Sequence, residues 1–120
     1  MKLSKIKEIL SAEVLANPDR LNIDIKMGCG CDLMSDVLAF VKSGSLLLTG
    51  LTNPQVVRTA EMADILAICF VRGKKPDDET LRLAGDKKIP VLFTRLLMFE
   101  SCGRLYENGL PDCSELREKT

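Results

Sequence analysis

The stretch from Ser45 to Gly73 limits the possible folds more than any other part of the chain. Ser45-Leu46-Leu47-Leu48-Thr49 is a short apolar run stopped by Gly50. Asn53-Pro54 then opens a helical pattern, and Ile65–Val71 is an unbroken apolar run that ends at Arg72-Gly73. A strand that is apolar on both faces needs cover on both faces. Two such strands joined by a helix predict a parallel sheet with helices above and below it.

The flanking segments extend this pattern. Leu3, Ile6, Ile9 and Leu10 fall on one face of an N-terminal helix. Glu13–Ala16 is a short strand, followed by turn chemistry at Asn17-Pro18-Asp19. Leu21, Ile23, Ile25 and Met27 alternate with Asn22, Asp24 and Lys26, which predicts a strand with one wet face near the sheet edge. Gly28-Cys29-Gly30-Cys31 reads as a tight turn, and Asp32 as the cap of a helix carrying Leu33, Met34, Val37, Leu38 and Val41. Lys42-Ser43-Gly44 closes that helix. Pro76-Asp77-Asp78-Glu79 places acids at the positive end of a further helix. Ile89–Thr94 is a strand with its proline near the start. A last helix from about Leu97 to Glu107 sets Phe99, Cys102, Gly103 and Tyr106 on one face. The fold class is therefore α/β: a three-layer αβα sandwich with a mainly parallel sheet, one domain over 1–110 and a polar tail over 111–120. Ligands of such folds bind beyond the carboxyl ends of the strands.

Composition removes several functions. Lys+Arg and Asp+Glu both number 17, so the chain lacks the positive field that non-specific nucleic-acid binding requires. There is no Trp and little Tyr or Phe to stack on bases. No apolar run reaches the roughly 20 residues of a membrane helix, and Met1–Leu10 lacks a signal-peptide pattern, so the expected location is the cytoplasm. Histidine is absent, which excludes Ser-His-Asp and Cys-His catalysis and His-ligated zinc. The five cysteines are expected as free thiols in that compartment.

Three segments converge at the predicted strand ends. Gly28, Gly30 and Asp32 form one. Thr49, Gly50, Thr52 and Asn53 form a second, which presents amides and hydroxyls to an anion or else simply caps a helix through Asn53 with Pro54 in its first turn. Arg72, Gly73 and Lys74, with neighbouring Lys75, form a basic third that attracts phosphate or remains a solvated loop. Thr94-Arg95 lies at the next strand end. Cys29 and Cys31 are the most chemical-looking feature. They either hold a soft metal, with an iron-sulfur cluster shared across a dimer, or fit a cramped turn. Cys69 and Cys102 read as core, and Cys113 as incidental.

The chain resembles the DRTGG domain over nearly its whole length, from Leu3 to about Leu110. The likeness lies in DLMSDVLAF at Asp32–Phe40, SLLLTG at Ser45–Gly50, ILAICFVRGKKP at Ile65–Pro76 and IPVLFTRLLMFESCGRLY at Ile89–Tyr106. The resemblance implies a fold like the N-terminal domain of bacterial HPr kinase/phosphorylase and a regulatory or dimerising role. Such domains accompany CBS domains in some inorganic pyrophosphatases and precede phosphate acetyltransferase domains. Similar stand-alone versions occur beside iron-only hydrogenase genes. The literal DRTGG string is missing: Leu51-Thr52-Asn53-Pro54 stands where many relatives carry a second glycine and an Asp-Arg pair. No GxxxxGK[ST] loop is present.

The leading reading is a non-enzymatic regulatory domain. It acts as a homodimer, without a cofactor, and responds to a nucleotide, another phosphorylated small molecule or a partner protein. The alternative is an iron-sulfur or thiol redox accessory protein using Cys29 and Cys31.

Overall fold

The computed structural model describes residues 1–113. In chain order it runs α1 (Leu3–Ile9), β1 (Glu13–Ala16), β2 (Met27–Gly30), α2 (Met34–Phe40), β3 (Ser45–Thr49), α3 (Pro54–Met62), β4 (Ala67–Phe70), α4 (Asp78–Asp86), β5 (Val91–Phe93) and α5 (Met98–Glu107). The five strands form one sheet in the order β1-β5-β4-β3-β2. β2 to β5 are parallel, and β1 joins β5 antiparallel with a register shift between Val14 and Ala16. Of the tail expected over 111–120, residues 114–120 lie outside the described residues.

β3 and β4 are buried along their whole length because alternate side chains enter opposite layers. Leu46, Leu48, Ala67, Cys69 and Val71 pack with Leu3, Ile6 and Leu10 of α1 and Leu105 of α5. Leu47, Ile68 and Phe70 pack with Val37 of α2, Val56, Val57 and Ala60 of α3, and Ala84 of α4. Each fully buried Leu, Ile or Phe contributes about 1.5–3 kcal/mol. The three layers anticipated from the apolar runs are therefore present, with α2, α3 and α4 on one face and α1 and α5 on the other.

The structure departs from the local expectations in several places, and α2 already ends at Phe40 with Val41 as its C-cap, before Lys42-Ser43-Gly44. The alternating segment Leu21–Lys26 is not a strand. Its apolar residues do turn inward, with Ile25 buried. Its backbone, however, serves α1: the carbonyls of Ile23 and Leu21 accept from Leu3 N and Ser4 N, both at 3.0 Å. These amides would otherwise be orphaned at the helix start. Gly28-Cys29-Gly30 is not a turn but most of β2, the edge strand. Its glycines admit the other layer closely, since a Cβ on Gly30 would lie 2.7 Å from Cys102 Sγ and one on Gly28 3.0 Å from Leu110 Cδ2. Asp32 does not cap α2, whose N-cap is Leu33 with no side-chain cap bond. In α5 the buried residues are Ser101 and Leu105, while Phe99 and Tyr106 face outward.

One feature of the topology positions the site. β2 to β5 run across the sheet without reversal, so α2, α3 and α4 share a face. From β4 the chain passes to α4 on that face, but from β5 it passes to α5 on the opposite face. Adjacent carboxyl ends whose connections leave to opposite faces are the condition for a ligand crevice. In this molecule the condition is met between β4 and β5.

Candidate functional site

The carboxyl ends of β4 and β5 carry two short connections that are tied together. Arg72 N donates to Leu96 O at 2.8 Å, and Gly73 N donates to Thr94 O at 3.1 Å. This pairing is made with Arg72 and Gly73 both left-handed, at φ +68° and +70°. Glycine takes that conformation freely, whereas for Arg72 it carries a steric cost of about 1–2 kcal/mol. The Thr94 hydroxyl is buried and donates to Leu10 O at 2.7 Å, which anchors the floor to the end of α1.

Cations surround these two connections. The Arg72 side chain turns toward β3, where its Nη2 donates to Gly50 O at 3.1 Å. Lys75 Nζ lies 5.3 Å from the centroid of the Phe93 ring, and Arg95 Cζ lies 5.9 Å from it. Both distances suit cation–π attraction. Arg72, Lys74, Lys75 and Arg95 are all exposed, and among the described residues none of them is ion-paired to a carboxylate. Guanidinium groups grip phosphate through paired N–H donors, and ammonium groups add point charges.

The β3 end is organised differently from the sequence expectation. The Asp32 carboxylate accepts from Thr49 Oγ1 at 2.9 Å and from Gly50 N at 2.7 Å. Thr49 Oγ1 in turn accepts from Leu51 N at 3.2 Å. An internal carboxylate thus already engages the amide that an external anion would use. Asn53 is the N-cap of α3, its Oδ1 accepting from Gln55 N at 3.0 Å, with Pro54 in the first turn. Thr52 O accepts from Thr80 Oγ1 at 3.1 Å and ties the loop to α4. Asp77 caps α4 by accepting from Thr80 N at 2.8 Å and Thr80 Oγ1 at 2.5 Å. Those bonds hold its carboxyl below the ordinary value of 3.8.

Of the residues singled out from the sequence, Asp32, Thr49, Gly50, Arg72 and Gly73 come together at the carboxyl ends. Lys74 lies on the rim of the same loop. Gly28 is within the edge strand, its Cα hydrogens facing Leu110, while Gly30 ends that strand against Met98 and Cys102. Thr52 and Asn53 have structural partners in α4 and α3. Lys75 and Arg95 stand with them, both beside the Phe93 ring. A basic residue directly after an apolar strand was the available signal for Arg95.

The cysteines are distributed over both sides of the sheet. Gly28 and Gly30 face α5, so the strand alternation directs Cys29 to the other side. Cys31 packs there with the α2–α4 layer and donates from Sγ to Leu33 O at 3.4 Å. Cys102 belongs to α5, and Cys69 is buried in β4. Burial first, then the neighbouring Cys113, pushes the Cys29 thiol up to about 12, and burial pushes Cys69 to about 12. Among the described residues no group of three cysteines and carboxylates is placed to hold a metal ion. Next to β2 a largely apolar cavity of about 130 Å³ is lined by residues including Gly28, Leu48, Leu105, Tyr106 and Leu110.

No helix among the described residues is long and apolar enough to cross a membrane. No protein-family model matches the chain, and no curated protein matches it. Among solved structures, the chain is similar to the CBS and DRTGG domains of the regulatory region of Clostridium perfringens pyrophosphatase, crystallised with the activator diadenosine tetraphosphate. The TM-score is 0.70 at 22% identity, over 92% of this chain and 47% of that one, so this chain spans less than half the length of its match. The similarity agrees with the DRTGG-like resemblance at the level of the fold.

Proposed function

We propose that the chain is a non-enzymatic regulatory domain that binds a phosphorylated small molecule of the nucleotide class. The phosphates sit in the β4–β5 crevice, held by Arg72, Lys74, Lys75 and Arg95, with Gly50, Gly73 and the Asp32–Thr49 pair shaping one wall. The observation that carries this reading is the gathering of exposed cations, without carboxylate partners among the described residues, at a pair of adjacent strand ends whose connections leave to opposite faces. A fold shared with a regulatory region that was crystallised with a dinucleoside polyphosphate supports the ligand class.

The domain acts as a homodimer in the cytoplasm. Leu38 and Phe40 on α2 and Phe99 on α5 are large apolar side chains left exposed, and they support such an association. Ligand binding to one dimer state then shifts the population toward it.

Titration calorimetry with diadenosine tetraphosphate, ATP, AMP and inorganic triphosphate tests the ligand. Binding that strengthens with phosphate number and falls at least tenfold in Arg95→Ala supports the reading. Absence of binding across the panel overturns it and favours a protein partner. Light scattering tests the dimer separately, with a monomeric mass at micromolar concentration as the contrary result.

A further inference from the structure

We propose that Cys29 and Cys113 form a reversible disulfide that fastens the segment after α5 to the open edge of the sheet. This inference does not rest on the ligand reading.

The backbone sets the pair. Gly28 N donates to Pro111 O at 2.9 Å, and Gly28 and Asp112 form a parallel bridge. The segment after α5 therefore runs as one further, very short strand beside β2. In a parallel bridge the next residues on each side are neighbours on the same face, and these are Cys29 and Cys113. Adjacent strands lie about 4.8 Å apart, inside the roughly 4.4–6.8 Å between Cα atoms that a disulfide spans. The side chains are near enough that Cys113, after burial, raises the Cys29 thiol. Both residues are only partly buried, so an oxidant reaches them. Cys31 is turned to Leu33 O, and Cys102 lies across the sheet, so neither competes for the same geometry.

The oxidant is a hydroperoxide. Burial disfavours the Cys29 thiolate, so Cys113 is the nucleophile. Its thiolate sulfur attacks one peroxide oxygen, the O–O bond breaks, and hydroxide leaves, giving a sulfenic acid on Cys113. The Cys29 sulfur then attacks that sulfur, the S–O bond breaks, and the Cys29 proton departs with the leaving hydroxide as water. Two electrons pass from the thiols to the peroxide, which becomes two waters when hydrogen peroxide is used. A dithiol reductant reverses the bond. In a reducing compartment the bond forms under oxidative load and is removed afterwards.

The consequence is mechanical. Leu110 and Pro111 wall the cavity beside β2. A bond at Cys113 holds that wall closed and covers the sheet edge. It also closes a loop through most of the chain, which restricts the unfolded state.

The test treats the full chain with hydrogen peroxide and maps thiols by mass spectrometry without reduction. The expected product is a Cys29–Cys113 linkage that dithiothreitol removes, with a melting temperature raised by roughly 10 °C. Cys113→Ser abolishes both effects, and Cys31→Ser preserves both. A dominant Cys29–Cys31 or Cys29–Cys102 linkage overturns the proposal. So does the absence of an intramolecular disulfide, or a rise in melting temperature that survives in Cys113→Ser.

Discussion

The guanidinium of Arg72 rests on the backbone of Gly50. Its Nη2 donates to the Gly50 carbonyl at 3.1 Å, and a Cβ on Gly50 would stand 2.3 Å from the same nitrogen. The contact accounts for the glycine directly after β3, because any side chain there displaces Arg72 from its seat. Gly50→Ala is therefore expected to cost little stability, about 1 kcal/mol or less, since a long side chain swings away easily. It is expected to weaken binding of a triphosphate or dinucleoside polyphosphate by about tenfold, equivalent to ~1.4 kcal/mol. Calorimetry and denaturant unfolding of the same variant separate the two effects.

Asp32 holds the end of β3 from the opposite side. Its carboxylate bridges the Thr49 hydroxyl and the Gly50 amide, and both are charge-assisted bonds. Asp32→Ala leaves a buried hydroxyl and amide short of an acceptor and is expected to cost about 1–2 kcal/mol. Urea unfolding measures this. Asp32→Asn keeps one acceptor oxygen, and is expected to retain most of the stability while tightening anion binding through removal of a negative charge.

The α4 cap predicts a pH dependence. Thr80 donates twice to Asp77, and the carboxyl is depressed below 3.8 in the folded chain. A depressed carboxyl contributes stability above its unfolded value, and that contribution is lost as pH falls through the folded value. The contribution of Asp77 is thus complete above about pH 4.8, one unit over the ordinary value. It declines through the range below 3.8. In Asp77→Asn this part of the acid limb disappears, as read from thermal melts between neutral pH and pH 2. Thr80→Val removes the buried hydroxyl that also reaches Thr52 O, and is expected to cost about 1–2 kcal/mol at neutral pH.

An interior strand, β3, supplies the core prediction. Leu47 is fully buried among Val37, Val57 and Ile68 on the α2–α4 side. Leu47→Ala is expected to cost about 2–5 kcal/mol, and a calorimetric melt reads it directly.

The layers were legible because Leu46–Leu48 and Ile65–Val71 are apolar on both faces, and only a covered parallel sheet accommodates that. The edge was harder. Leu21–Lys26 alternates as a strand does, but its carbonyls cap α1, a partnership set by tertiary placement and invisible in periodicity. Gly28 and Gly30 suggested a turn, yet glycine also marks close approach, and only the seating of Cys102 and Leu110 distinguishes the two. The crevice followed the same logic. Arg72 and Gly73 stood out as residues after an apolar run. The convergence of Lys75 and Arg95 on Phe93 depends on α5 crossing to the opposite face, which no local pattern encodes. The neighbourhood of Cys29 and Cys113, far apart in the chain, was likewise hidden until the strands were paired.

The most direct measurement is a titration of the isotopically labelled protein with inorganic triphosphate, followed amide by amide by nuclear magnetic resonance. The account predicts saturable shifts centred on Gly50, Gly73, Lys75 and Arg95, and their loss in the Arg72→Ala, Arg95→Ala double variant. Shifts confined to the Lys87-Lys88 end of the molecule, or none at millimolar triphosphate, would contradict it.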